Sequence, residues 1–113
     1  MSSDPLFSGP PSSEPNSEGN ATRIQVEVRN RLGIHARPAN LIARTAMRFT
    51  SQVEIRKGNE CVDAKSIISL LTLGAEQGTV LEISAVGDDA GGALVAIREL
   101  FDRRFDDEEE LHS

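Results

Sequence analysis

Tryptophan and tyrosine are absent from this sequence, and aromatics amount to only 4% of its 113 residues. Its core must therefore come from aliphatic side chains and a few phenylalanines. A single cysteine, Cys61, can make neither an internal disulfide nor a zinc cluster. Lying in an expected strand, it reads as a small buried apolar residue. No apolar run approaches the roughly 18 residues that crossing a bilayer requires, so membrane insertion is not expected. The N-terminal MSSDPLFSGPPSSEPNSEGN has neither a basic start nor an apolar stretch. It is not a secretory signal, and a cytoplasmic location is expected. No metal-ligand cluster or pair of carboxylates stands out, so neither a metal nor a cofactor is expected.

The chain does carry charge, unevenly. Its formal net charge is −6, but residues 1–22 hold three acids and no base, and Asp106 to Glu110 are five acids in a row. All 12 bases lie between Arg23 and Arg104. Against the ten acids of that stretch they leave the middle of the chain near +2. This is no nucleic-acid-scale excess. It suits a domain that presents a local positive patch to an acidic partner.

Residues 1–22 contain four of the five prolines and are rich in Ser, Gly and Asn. Such a segment cannot bury enough apolar surface to offset its ordering entropy, and it reads as a disordered arm. An expression remnant and an anchoring peptide are the alternatives. The folded domain is expected over 23–105, with 106–113 a frayed acidic tail.

Within the domain the hydrophobic period changes in an orderly way. Ile24, Val26 and Val28 alternate with polar residues as a half-buried strand. After the loop RLGIHARP, Leu41, Ile42, Thr45, Ala46 and Phe49 recur at helical spacing, with Pro38 in the first turn. Val53 and Ile55 mark a second strand, Gly58-Asn59 a hairpin, and Cys61, Val62 and Ala64 a third strand. Ser66 to Leu73 reads as a short helix, capped by Ser66 and closed by Gly74. Thr79–Val86 is a fourth strand. A last helix carries Leu94, Ile97, Leu100, Phe101 and Phe105 as an apolar stripe.

The order βαββαβα predicts an α+β fold. It is a two-layer open-faced sandwich, with a four-stranded, mostly antiparallel sheet and three helices on one face. An RNA-binding sheet of similar outline stacks bases on strand aromatics. Here Phe7, Phe49, Phe101 and Phe105 all lie outside the expected strands, which rejects that function. Gly87-Asp88-Asp89-Ala90-Gly91-Gly92 has the glycines of a phosphate loop but not its Gly-Lys-Ser/Thr ending, and reads as a turn and cap.

His35 is the chemical focus. It sits immediately before a helix, whose first-turn N–H groups are unsatisfied and form a ready anion site. Arg37, two residues on, adds a planar fork of donors suited to phosphate oxygens. A nucleophile, an anion cradle and a cation thus fall within one turn. The plain alternative is a surface histidine at a helix cap, or an interaction domain in which His35 is incidental.

The segment Asn30-Arg31-Leu32-Gly33-Ile34-His35-Ala36-Arg37-Pro38-Ala39 closely resembles the active-site segment of the HPr family, the histidine-containing phosphocarriers of the bacterial phosphotransferase system. A second stretch, Ala64-Lys65-Ser66-Ile67-Ile68-Ser69-Leu70-Leu71-Thr72-Leu73-Gly74, resembles the family's regulatory serine and the short helix after it. The resemblance runs from about Arg23 to Phe105.

It implies a phosphoryl carrier and not an enzyme. His35 would accept phosphate on Nδ1 from the first enzyme of the system, which is charged by phosphoenolpyruvate, and pass it to an A component. Arg37 would interact with the phosphoryl group. Ser66 would be a regulatory phosphorylation site for an HPr kinase/phosphorylase. Ala36, Asn40, Arg44, Met47, Ile67, Ile68 and Leu71 would form the partner-binding surface of a monomer that binds no nucleic acid. Leu70 and Leu73 are expected in the core.

A nitrogen-type carrier, acting in signalling and not in sugar uptake, is the alternative. The ending Phe101-Asp102-Arg103-Arg104-Phe105-Asp106-Asp107 and Arg31 lean towards it, whereas Lys65-Ser66 and Leu73-Gly74 lean towards the sugar type.

Overall fold

A computed structural model describes residues 21–106. Strand β1 (Ala21–Glu27) leads to helix α1 (Ala36–Ala46), a hairpin of β2 (Gln52–Lys57) and β3 (Glu60–Asp63), and helix α2 (Ile67–Leu73). Strand β4 (Val80–Val86) and helix α3 (Ala90–Asp102) follow, with a 3-10 turn at Arg104–Asp106. The strands lie in the order β1-β4-β2-β3, and every neighbouring pair is antiparallel. The fold is an open-faced α+β sandwich.

Register explains which face is wet. Ile24 pairs with Ile83, Ile83 with Ile55, and Ile55 with Val62, so one apolar row crosses all four strands. Ile83 and Ile55 are wholly buried against the helices, with Ile42, Leu70, Leu73 and Ile97 in the same core. Because successive strand side chains alternate, the adjacent row of Gln25, Glu82, Arg56 and Cys61 must face the other way. That face is polar. Glu82 there lies 3.9 Å from the guanidinium nitrogens of both Arg23 and Arg56.

The same alternation corrects the expectation for Cys61, which is exposed. Neighbours Cys61 and Val62 cannot both face the helices, and the larger apolar one does. The Cys61 thiol donates to Glu54 Oε1 at 3.3 Å. Partial desolvation, and then this carboxylate, push its pKa above the ordinary value.

Element ends bring further corrections. Ala21 and Thr22, expected in the arm, belong to β1 because Val86 and Ala85 of β4 pair with them. The rest of the arm, residues 1–20, and the tail at 107–113 lie outside the described residues. Helix α1 stops at Ala46, leaving Phe49 half-buried beyond it. Helix α3 stops at Asp102, so Phe105 is not on its stripe. Arg104, Phe105 and Asp106 take φ of 54°, 59° and 50°. This left-handed turn delivers Phe105 into the core, 4.8 Å from Phe101 between ring centroids, edge to face.

The turn before α3 also differs in its chemistry. Asp89 occupies the cap position but makes no capping bond with its side chain. Its carboxylate instead accepts from the amides of Thr50 (2.9 Å) and Ser51 (3.0 Å). It also accepts from the hydroxyls of both residues. Gly87 allows the approach, since a Cβ there would lie 2.5 Å from Ser51 Oγ.

These donors, the Ser51 hydroxyl first and then the Thr50 amide, hold the Asp89 carboxyl at about 2 against an ordinary 3.8. A carboxyl depressed in the folded state adds stability above its unfolded pKa, and that stability is lost as pH falls through the folded one. Asp89→Asn is expected to melt below the parent at neutral pH, with the gap closing as pH falls from about 4 to about 2. Thermal melts of both proteins across that window check this; parallel curves would contradict it.

Candidate functional site

The loop between β1 and α1 is held on both sides. Gly33 N–H donates to Asn30 O at 3.1 Å, and His35 N–H donates to Gly33 O at 3.1 Å, so the chain turns twice within six residues. Ile34 N–H donates to Ala75 O at 2.9 Å. The Ile34 side chain is buried, while Leu32 is 54% exposed. Gly33 has φ +71°, and a Cβ there would lie 2.4 Å from Ala75 O. Only glycine meets both demands.

His35 is the N-cap of α1, in an extended conformation with φ −96° and ψ −163°. Its side chain makes no capping bond, and no acid sits in the first turn. The helix offers no carbonyl to the N–H groups of Ala36 and Arg37, and Pro38 has none to satisfy. Ala36 and Arg37 are exposed and His35 half-buried. His35, the amides of Ala36 and Arg37, and the Arg37 side chain thus fall at one helix start. Such a helix start favours an anion.

The second motif behaves differently. Ser66 caps α2, its Oγ accepting from Ser69 N–H at 3.2 Å, and Gly74 closes the helix with φ 67°. Lys65 Nζ donates to Phe49 O at 3.0 Å, which fastens the start of α2 to the turn after α1.

Helices α1 and α2 pack on each other. Leu70 and Leu73 are buried as expected, whereas Ile67, Ile68 and Leu71 are exposed by 39%, 73% and 40%. On α1, Asn40 and Arg44 are exposed, as is Met47 just beyond its end. These exposed side chains lie on or beside two helices that pack together.

Two residues near His35 escaped the sequence reasoning as site residues. Leu32 is exposed beside the loop, and its alternation with buried Ile34 was the available signal. Asn30 is wholly buried under the loop; its place three residues before a glycine is a turn signal and no more. Among the described residues, no group of three or more His, Cys, Asp or Glu could hold a metal ion. No helix among them is long and apolar enough to cross a membrane.

Comparison with known proteins decides the family. A model for PTS-HPr, described as the PTS HPr component phosphorylation site, matches residues 22–103. The chain belongs to the HPr family. A phosphocarrier protein HPr from Treponema pallidum is 42% identical over 83 residues, covering 74% of this chain and 94% of its own. The multiphosphoryl transfer protein of Xanthomonas campestris pv. campestris is 38% identical over 82 residues, which span 73% of this chain and 10% of that protein. Among solved structures, HPr-C-His from Thermoanaerobacter tengcongensis has a TM-score of 0.74 at 41% identity, covering 76% of this chain and 97% of its own.

This HPr-family chain is a phosphocarrier of the phosphotransferase system. These relatives give the nitrogen-type reading no specific support.

Two of the positive-φ glycines, Gly33 and Gly58, separate conformation from crowding. Gly58, at φ +60°, has nothing within 4 Å of a built Cβ. Gly58→Ala is expected to cost about 1 kcal/mol for its backbone alone. Gly33→Ala adds the collision with Ala75, at least about 1 kcal/mol more. Urea denaturation of both variants checks the difference, and equal losses would contradict the close approach.

Proposed function

We propose that His35 is the phosphoryl acceptor of this carrier. What carries the proposal is the start of α1: a histidine not spent on capping, two outward amides and Arg37, inside the segment that the family's phosphorylation-site model spans. The donor is the phosphorylated first enzyme, itself charged by phosphoenolpyruvate. The lone pair of His35 Nδ1 attacks phosphorus as the bond from phosphorus to the donor breaks, and the donor's leaving group departs with that electron pair. The amides of Ala36 and Arg37 and the Arg37 guanidinium face the charge on the equatorial oxygens, where positioning and electrostatics supply most of the catalysis. The reverse exchange delivers the group to a histidine of an A component. The chain is then a substrate of phosphotransferases and not an enzyme.

Both exchanges need transient docking. Ile67, Ile68, Leu71 and Met47 supply an apolar centre, and Ala36, Asn40 and Arg44 its edge. The carrier works as a cytoplasmic monomer. Ser66 is the regulatory site, open to an HPr kinase/phosphorylase, and a phosphate there adds about −1.5 to −2 charges at the margin of the docking surface.

His35→Ala is expected to fold normally and to lose all phosphoenolpyruvate-dependent labelling in the presence of the first enzyme. Acid-labile phosphate that survives in this variant would refute the acceptor role.

Ser66 separates cap from switch. Ser66→Ala should lose about 1 kcal/mol of stability and keep near-parental transfer. Ser66→Asp should melt close to the parent, because a helix N-terminus favours an anion, yet accept phosphate much more slowly through repulsion from an acidic partner surface. Parental transfer by Ser66→Asp would leave Ser66 a cap and nothing else.

A further inference from the structure

The direction in which His35 enters α1 is set by its backbone, and beside the backbone bonds one buried side chain also holds that loop. Asn30 is wholly buried in the loop before α1. Its Nδ2 donates to Gly33 O. The same oxygen accepts the His35 N–H at 3.1 Å, while Asn30 O accepts the Gly33 N–H at 3.1 Å. Asn30 thus closes a ring of hydrogen bonds around residues 30–35, with His35 as its outer member.

The other end of the amide is left over. Asn30 Oδ1 is buried and has no hydrogen-bond partner among the described residues. An unpaired buried acceptor costs about 1–3 kcal/mol, and an apolar side chain of similar size would avoid that cost. The position therefore carries an asparagine at the expense of stability, which points to its donor end as the part that matters.

We propose that Asn30 is a positioning residue for phosphoryl transfer: by holding Gly33 O it fixes the turn that aims the His35 imidazole. The inference rests on His35 being the acceptor. Asn30 itself touches no phosphate. It acts through the Gly33 carbonyl, and a loop free to rotate there would present the ring in many directions, few of them in line with the donor.

Asn30→Leu removes donor and orphan acceptor together. In steady-state phosphorylation by the first enzyme, with the full-length chain as varied substrate, kcat is expected to fall about tenfold. KM should stay within about twofold, because the docking surface is untouched. The melting temperature should equal or exceed the parent's, since the unpaired Oδ1 is gone. Hydrogen exchange at the His35 amide of the unphosphorylated protein should quicken.

A residue that merely anchors the loop would lower the melting temperature and leave kcat per folded molecule unchanged, and that result overturns the inference. If Asn30→Leu does not fold, Asn30→Ala corrected for its folded fraction is read the same way: lowered kcat supports the inference, and parental kcat overturns it. A parent protein that takes no phosphate on His35 would overturn both the acceptor reading and this inference. A parent that does, beside an Asn30→Leu of parental kcat, would overturn this inference alone.

Discussion

Two stretches of backbone meet where Gly33 lies against Ala75, and the geometry of the site depends on that approach. The contact is one of a series. Ile34 N–H reaches Ala75 O, Gln77 Nε2 reaches Arg29 O, and Val28 exchanges bonds with Gly78 and Thr79, all at 2.8 to 3.0 Å. The segment leaving α2 is thereby zipped to the segment entering α1. The start of α1, with His35, and the whole of α2, with Ser66 and its apolar surface, consequently belong to one frame. A glycine at 33 is the condition for closing it, since any Cβ would collide with the carbonyl that accepts from Ile34.

The three helices begin in three ways, and the contrast suits the chemistry proposed for the site. Helix α2 is capped by Ser66 through Ser69. Helix α3 starts at Asp89, whose carboxylate is committed to Thr50 and Ser51 across the molecule. Helix α1 starts at a histidine that caps nothing, with no acid in its first turn. Its positive end is not cancelled by a carboxylate of its own first turn, which suits the anion site proposed there. The proposed anion site lies beside the imidazole at the helix start that lacks a side-chain capping bond.

The sheet divides labour by face. The helix side holds the unbroken row from Ile24 to Val62, and the opposite side is covered by charge pairs around Glu82. Exposed apolar side chains occur on α2, and also at Leu32, Val80 and Val95; the docking surface proposed above uses those of α2. A surface of this kind needs no deep pocket, which agrees with the transfer proposed inside a transient complex.

Local patterning determined a good deal of this protein by itself. Strand alternation and helical spacing give the order of the elements, and the Gly58-Asn59 hairpin, the Ser66 cap and the Gly74 stop are found where the sequence puts them. The proposal of His35 and Arg37 also rests on local reading, because a helix start and its neighbours are contiguous in the chain. Only the tertiary structure decided the rest. Whether Cys61 or Val62 faces the core depends on the register with β2, set by residues on another strand. Phe105 leaves the helical stripe because a left-handed turn suits the packing around Phe101 better than another turn of helix. Asp89 looks like a cap until Thr50 and Ser51, nearly forty residues away, offer it more donors. The burial of Asn30 likewise follows from the closing of its loop against Ala75. Each of these depends on a partner distant in sequence, and no local period encodes the identity of that partner.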